Sequence, residues 1–187
     1  MAYITVNETG TFPALILSTD IANCNVGANG NGFVNGNAAQ LLNVTCLQDV
    51  TVTNSTGIFS WTDFCSASIN KVTTPSDNEI STNIVIDDVE FFGDSSETAN
   101  SATNLGVSGL SQSRTEVAFR LNLNNSGANA TSNTAPGNVV GNVPTFIYHG
   151  VGYISSVAPT VSPDSPVWVS PLTIAVSGDM GSGPKLP

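Results

Sequence analysis

Residues 114–124 alternate strictly between two kinds of side chain. Such a period of two over a whole segment is typical of a β-strand with one buried face and one solvent-exposed face. We therefore expect a half-buried strand here, in a chain that is otherwise rich in strands. The buried side would carry Thr115, Val117, Phe119, Leu121 and Leu123, and the wet side Arg114, Glu116, Ala118, Arg120, Asn122 and Asn124.

The rest of the chain reads mainly as strands and turns. Further strands are expected at 3–6, 15–21, 41–52, 58–69, 80–92, 145–157 and 167–176, with a turn at 54–57 and a break at 71–78 around Pro75. Long loops rich in Asn, Gly and small residues are expected at about 22–40 and 124–142, because such residues favour irregular backbone. The chain of 187 residues predicts one domain, 1–187, with short terminal arms. Its fold class would be mainly β, a β-sandwich or partly closed barrel with one short α-helix.

One helix interrupts the strands. Asp94 is a favoured N-cap residue, and Glu97 lies three positions later, as in a capping box. We expect a helix over roughly 95–105, followed by a turn at Gly109 and Leu110. Replacing Asp94 with Ala would then cost about 1 kcal/mol through the lost cap.

Composition narrows the function classes. The chain has 4 basic and 14 acidic residues, a net charge of −10. Nucleic-acid binding needs clustered Lys and Arg, so that class is disfavoured. The three cysteines, Cys24, Cys46 and Cys65, have neither zinc-site spacing nor the density of a secreted disulfide scaffold. The sequence remains compatible with one disulfide between two of them. Neither a signal peptide nor an apolar run of membrane-spanning length is visible.

Catalysis is also disfavoured. The one histidine, His149, lies in a predicted strand, where it is more often a structural residue than a base. Asp87 and Asp88 are adjacent, so in a strand they would face opposite sides and could not act as a carboxylate pair. No calcium-loop or nucleophile-elbow pattern is present. We expect no enzyme activity, no cofactor and no metal.

The order of short motifs resembles the tail tube proteins of long-tailed bacteriophages. These motifs run over about 59–178: Phe92-Gly93-Asp94 before the lone helix, Gly109-Leu110 before the long strand, residues 152–157 and 168–176 as a closing hairpin, and Ser177-Gly178 at its end. The resemblance implies a structural virion protein, assembled in the host cytoplasm, whose hexameric rings stack into a tube that conducts genomic DNA. It implies as partners copies of the same chain and the tape measure, terminator and distal tail proteins. DNA would pass without specific binding, and no membrane would be involved.

An acidic channel wall would suit such a tube, because like charge repels phosphate. Among the outward-facing strand residues, we expect Glu116 to face the lumen and Arg120 to pair with a neighbouring carboxylate. The further candidates for lumen-facing or inter-subunit positions are Arg114, Asp87 and Asp88.

Two other classes of function remain open. One is a capsid decoration or head-tail completion protein. The other is a carbohydrate-binding or adhesive β-sandwich, for which aromatic rings could provide stacking surfaces. The rings available for that role are Trp61, Trp168, Tyr148 and Tyr153.

Overall fold

The computed structural model of the protein describes residues 14–24, 41–62, 68–123, 146–163 and 166–184. The predicted strand at 3–6, the terminal arms, the loop at 124–142, most of the loop at 22–40 and Cys65 lie outside these residues.

The described residues form a mainly antiparallel β structure, which confirms the predicted fold class. Its strands are β1 (Ala14–Ser18), β2 (Leu42–Val44), β3 (Leu47–Trp61), β4 (Asn70–Val85), β5 (Glu116–Asn122), β6 (Phe146–Val157), β7 (Val169–Val176) and β8 (Gly181–Pro184). Its helices are α1 (Asp88–Phe92) and α2 (Ala102–Ser113), with a short 3-10 turn at Ile21–Asn23.

The strands form one sheet in the order β2-β1-β5-β6-β7-β4-β3, with β8 paired to β6. The two edge strands β2 and β3 are separated in sequence only by Thr45 and Cys46. Three peptide steps span at most about 11 Å, so the sheet must curl until its edges approach each other. The curled sheet is not closed by a β2–β3 ladder, and it fits the partly closed barrel that the sequence predicts.

Side-chain hydrogen bonds hold α1 against the link between the two edges. Thr45 donates to the Glu90 carboxylate from its backbone nitrogen at 3.4 Å and from Oγ1 at 3.1 Å. The Cys46 carbonyl accepts from the Val85 nitrogen at 3.0 Å. Burial raises the pKa of Glu90, against the lowering effect of its bonds to Thr45. One half-buried carboxylate thus joins α1 to the point where the sheet curls back.

One face of the sheet, the core face, carries the main hydrophobic core. The helices cover it, since Phe91 of α1 and Val107 and Leu110 of α2 belong to the same cluster as the sheet residues. The alternation predicted for β5 supplies Val117, Phe119 and Leu121 to this face. The other buried members include Leu15, Leu17, Leu42, Val44, Ile80, Ile84, Leu172 and Ile174.

The opposite face of β5 is not exposed to solvent. The prediction that one face of this strand is exposed is therefore wrong. Ala118, Arg120 and Asn122 are all buried. A second apolar cluster lies on this face, in which Cys24 and Leu41 pack with Ala118. These covering residues come from segments distant in sequence, which the pattern of β5 cannot reveal.

The turn predicted at 54–57 and the break at 71–78 are also wrong, because β3 and β4 run through both segments. The ladder changes register between Thr56↔Ser76 and Ile58↔Thr73, so β4 has one more residue than β3 at this place. A bulge of this kind leaves residues outside the regular ladder. Pro75 lies there, where its missing N–H breaks no ladder hydrogen bond.

The helices begin at other residues than Asp94. The strand predicted over 80–92 ends at Val85, and Asp87 caps α1 by accepting from the nitrogens of Val89 at 3.1 Å and Glu90 at 3.2 Å. Ser101 caps α2. Asp94 caps neither helix; its carboxylate accepts from the nitrogen and Oγ of Ser96 at 2.8 and 2.7 Å. The longer helix does follow Gly93, but it starts at Ala102 and includes Gly109 and Leu110, where a turn was predicted.

Two glycines allow the backbones around the helices to touch. Gly93 has φ +86° and Gly106 has φ +63°, inside α2. A Cβ on Gly106 would lie 2.4 Å from the Gly93 nitrogen and 2.7 Å from the Phe91 carbonyl oxygen. Only glycine satisfies both the left-handed backbone and this approach.

Candidate assembly surfaces

The outer part of β3 and β4 forms a hairpin that extends beyond the rest of the sheet. β4 pairs with β7 only over Glu79–Val85. Beyond Glu79, the ladder joins β4 to β3 alone, as far as Trp61↔Asn70. A two-stranded ribbon has no core of its own and is marginally stable in water without further contacts.

The end of this hairpin carries large exposed apolar side chains. Phe59, Trp61 and Val72 are 57, 43 and 49 % exposed. Phe59 and Trp61 stack with ring centroids 5.9 Å apart, and Val72 is the cross-strand partner of Phe59. Strand alternation puts these three on one face, which we call the tip strip. Ile58, 60 % exposed, is paired with Thr73 on the other face.

A second exposed apolar surface lies at the opposite end of β4. Val161, Val167 and Trp168 are 56, 42 and 48 % exposed, and we call them the base patch. Val161 and Trp168 flank the bridge Thr160↔Val169, and the Trp168 carbonyl accepts from the Ile86 nitrogen at 2.9 Å. Since Val169 pairs with Val85 at the inner end of β4, the base patch and the tip strip are separated by nearly the whole strand.

The sheet also has two open edges. Within the part of the chain that the structure describes, β2 pairs only with β1 and β3 only with β4. Unpaired edge groups are ready to pair with another strand. The molecule therefore offers backbone hydrogen-bonding groups as well as apolar surface to a partner.

Away from β1 and apart from the tip strip, which strand alternation places on the same side of β3, the face opposite the core is polar and acidic. Pairing aligns Glu79, Ala175, Tyr153 and Glu116 in one row across four strands. Glu116 raises the pKa of the Tyr153 hydroxyl through its charge and through a hydrogen bond. Strand alternation adds two more carboxylates to this side of the sheet. We call Asp49, Asp77, Glu79 and Glu116 together the acidic face.

Arg120 is the one basic residue that the described strands place on the side of the acidic face, and it is 2 % exposed. Its predicted outward position is therefore wrong. Its Nε donates to Asn122 Oδ1 at 2.8 Å, and burial lowers its pKa to about 10. His149 is its partner on β6. Burial and then the charge of Arg120 lower the pKa of His149, whose Nδ1 has no hydrogen-bond partner.

The other predicted site residues do not gather around Glu116. Asp87 and Asp88 are exposed at the start of α1, where both accept from the Val89 nitrogen. Arg114 is exposed and ends α2 in a left-handed conformation with φ 52°.

The sequence did not predict the tip strip or the base patch. The alternation Phe59-Ser60-Trp61 indicates a strand, but it does not predict whether the rings of Phe59 and Trp61 are buried or exposed.

The four aromatic residues considered for carbohydrate stacking do not form one platform. Trp61 is at the outer end of the hairpin, whereas Trp168 is at the inner end of β4. Tyr148 packs against the main core, and Tyr153 lies in the row of the acidic face.

Among the described residues, no group of His, Cys, Asp and Glu could hold a metal ion. No helix in those residues has the length and apolar character to cross a membrane.

Comparison with solved structures finds similar folds in chains of gene transfer agent particles. A chain in the tail of an empty gene transfer agent (GTA) particle, which has C6 symmetry, matches with a TM-score of 0.50 and 11 % identity over 90 % of this chain and 95 % of that chain. A chain in the virion of a native GTA particle matches with a TM-score of 0.49 and 11 % identity over 87 % of this chain and 96 % of that chain. No family model and no curated protein matches the sequence. At this identity, the likeness to the C6-symmetric tail shows a shared fold.

Proposed function

We propose that this protein is a structural tail subunit whose copies form hexameric rings, which stack into a tube that conducts DNA. The observation that carries the proposal is the tip strip on a hairpin that lacks a core, in a fold shared with a chain of a C6-symmetric tail. The protein would act in the tail of a virion, after assembly in the host cytoplasm.

Self-assembly would cover the exposed apolar surface and the open sheet edges of the isolated subunit. Exposed apolar surface of this kind is usually covered in a complex. Open edges of a sheet are a hazard for a monomer, but in a closed ring of identical subunits they become interfaces. A second copy of the chain supplies both a complementary edge and apolar surface. Tape measure, terminator and distal tail proteins would be further partners inside and at the ends of the tube.

The acidic face is our candidate for the channel wall. It has four carboxylates and, in the described strands, no exposed basic residue, in a chain of net charge −10. Such a wall repels phosphate and avoids the non-specific contacts that would hold DNA. Glu116 keeps the role expected from the sequence and is joined there by Glu79, Asp49 and Asp77. The helices cover the other face of the sheet, so they would lie away from the channel.

Negative-stain microscopy and sedimentation velocity of the purified protein test assembly. We expect sixfold rings and stacks of rings as the concentration rises. Because tail assembly can wait for an initiating complex, antibody labelling of particles that contain the protein is the deciding measurement. Label along the tail is expected. Label on the shell or only at the head-tail joint would contradict the proposal and favour a decoration or completion protein.

A further inference from the structure

We propose that the carboxylates of the acidic face have a second role besides their charge. Three of the four accept a hydrogen bond from a neutral donor beside them, and so keep that donor from bonding to DNA phosphate. This inference rests on the proposed tail function, and it names the side chains that would make the channel wall non-adhesive to the phosphodiester backbone.

Two of these hydrogen bonds lie on β3 and β4. Glu79 Oε1 accepts from Ser81 Oγ at 2.7 Å, and Asp49 Oδ2 accepts from Asn83 Nδ2 at 2.8 Å. Strand alternation places Ser81 and Asn83 on the same side of β4 as Glu79. Both donors therefore lie on the proposed channel wall, and each is bonded to a carboxylate of that wall.

The third hydrogen bond joins Glu116 and Tyr153, which pair across β5 and β6. The Tyr153 hydroxyl donates to the Glu116 carboxylate, and the Tyr153 side chain is 41 % exposed. The face also carries Thr51, Thr53 and Ser55 on β3, whose short side chains keep their hydroxyls near the backbone. The longer tyrosine side chain holds the neutral donor best placed to reach DNA, and Glu116 is the residue that positions it.

The chemistry of phosphate explains why occupied donors matter. Phosphate oxygens accept hydrogen bonds from Ser, Thr, Asn and Tyr side chains, and these contacts do not depend on base sequence. An ionised carboxylate is an acceptor only. A wall whose donors already bond to its own carboxylates presents acceptors to the phosphates. Loss of a carboxylate therefore has two effects: it lowers the negative charge of the wall, and it frees a donor.

Two carboxylates of the acidic face allow these effects to be separated. Glu116→Ala removes one negative charge per subunit and frees the Tyr153 hydroxyl. Asp77→Ala is the matched control, because it removes the same charge and Asp77 holds no side-chain donor among the described residues. Tyr153→Phe, alone and combined with Glu116→Ala, removes the hydroxyl itself. The measurement is the time course of DNA release from particles assembled with each variant, whose tails are first checked by microscopy.

We expect Glu116→Ala to lengthen the half-time of DNA release at least about twofold relative to Asp77→Ala, the factor for one weak neutral hydrogen bond. Tyr153→Phe alone should release DNA at the natural rate, and in the double variant it should restore the rate of Asp77→Ala. Equal half-times for Glu116→Ala and Asp77→Ala, or no recovery in the double variant, would overturn the inference. Glu79→Ala, with and without Ser81→Ala, replaces any Glu116 variant that does not fold or assemble.

A titration of the purified protein tests the Glu116–Tyr153 bond independently of tail function. The charge of Glu116 and the hydrogen bond raise the pKa of Tyr153, so Glu116→Ala should lower the pH at which this hydroxyl ionises. The ultraviolet absorbance of tyrosinate measures the change, and Tyr153→Phe identifies the contribution of Tyr153. An unchanged titration would overturn the inference and leave the tail function standing. If particles carry no label on the tail, the proposed function fails, and the inference fails with it.

Discussion

At the scale of single residues, the buried pair Arg120 and His149 departs most from what the sequence indicates. Both side chains lie on the face of the sheet opposite the core face, yet they are only 2 and 4 % exposed. A buried guanidinium is costly unless it is hydrogen-bonded, and Arg120 does donate to Asn122. The neutral form of His149 suits this site, because a second positive charge beside Arg120 would be repelled.

The depressed pKa of His149 predicts a pH dependence of stability. Burial and the charge of Arg120 place its folded pKa below the unfolded value of about 6.5. The unfolded chain therefore takes up a proton first as pH falls, so the stability present above pH ~6.5 is lost as pH drops through the folded pKa. We expect the Tm to fall more between pH 7.5 and 5 in the natural protein than in His149→Phe, which has no proton to bind.

Thermal melts of both proteins at a series of pH values check this result. Glu90, whose raised pKa acts in the opposite direction, is present in both proteins and cancels in the comparison. Parallel curves would show that His149 titrates normally in the fold.

At the scale of elements, the crossing of Gly93 and Gly106 fixes how the helical segment lies over the core face. The Asp94 nitrogen donates to the Thr103 carbonyl at 3.0 Å, so the two chain segments are also joined by a backbone hydrogen bond. This crossing explains why the helix does not begin at Asp94. Residues 94–100 are used to turn the chain back, and Ser101 is the first residue free to cap α2.

We predict that Gly106→Ala destabilises the protein by at least about 1–3 kcal/mol, the range for a residue held in an unfavourable backbone conformation. The close contacts with Gly93 and Phe91 add to this cost. Gly109→Ala in the same helix is the control, because its Cβ would meet only the Leu105 side chain, at 3.2 Å. Urea denaturation should give similar midpoints for the control and the natural protein and a lower midpoint for Gly106→Ala; equal midpoints in all three would contradict the crossing.

At the scale of the whole molecule, the charge distribution separates the two faces of the sheet. The acidic face is left uncovered by the helices, and Arg120, the one basic residue there, is buried. If this face lines a channel, every ring repeats the same four carboxylates towards the DNA. Repulsion between wall and phosphate is screened over roughly 10 Å at moderate salt, so it acts only near the wall.

We therefore predict that Glu79→Lys leaves tube assembly mostly intact but slows DNA ejection, because each ring then adds attractive phosphate contacts. Glu97→Lys makes the same charge change at an exposed turn away from the acidic face and should eject DNA at the natural rate. The measurement is the time course of DNA release from particles assembled with each variant, at low and high salt. Equal rates for both variants would contradict the assignment of the channel face.

The local sequence pattern determined the secondary structure class and much of the strand content. The alternation in β5 predicted which residues join the core, since a period of two depends only on backbone geometry. The predicted strands around β1, β6 and β7 also have their counterparts in the structure. The motif order resembles that of tail tube proteins, and the chain shares its fold with a chain of a C6-symmetric tail.

Only the tertiary structure determined which segments pack against each face of a strand. Alternation along the sequence does not contain this information. Burial of Ala118 on the outer side of β5 involves Cys24 and Leu41, which are remote in sequence from β5. Continuity of β3 and β4 through Gly57 and Pro75 depends on pairing between the strands, which overrides the local preference for a turn. Exposure of Phe59 and Trp61 depends on β7 ending its pairing at Glu79, so the hairpin continues without a neighbour. Contacts between distant segments set these outcomes, and local sequence preferences do not contain them.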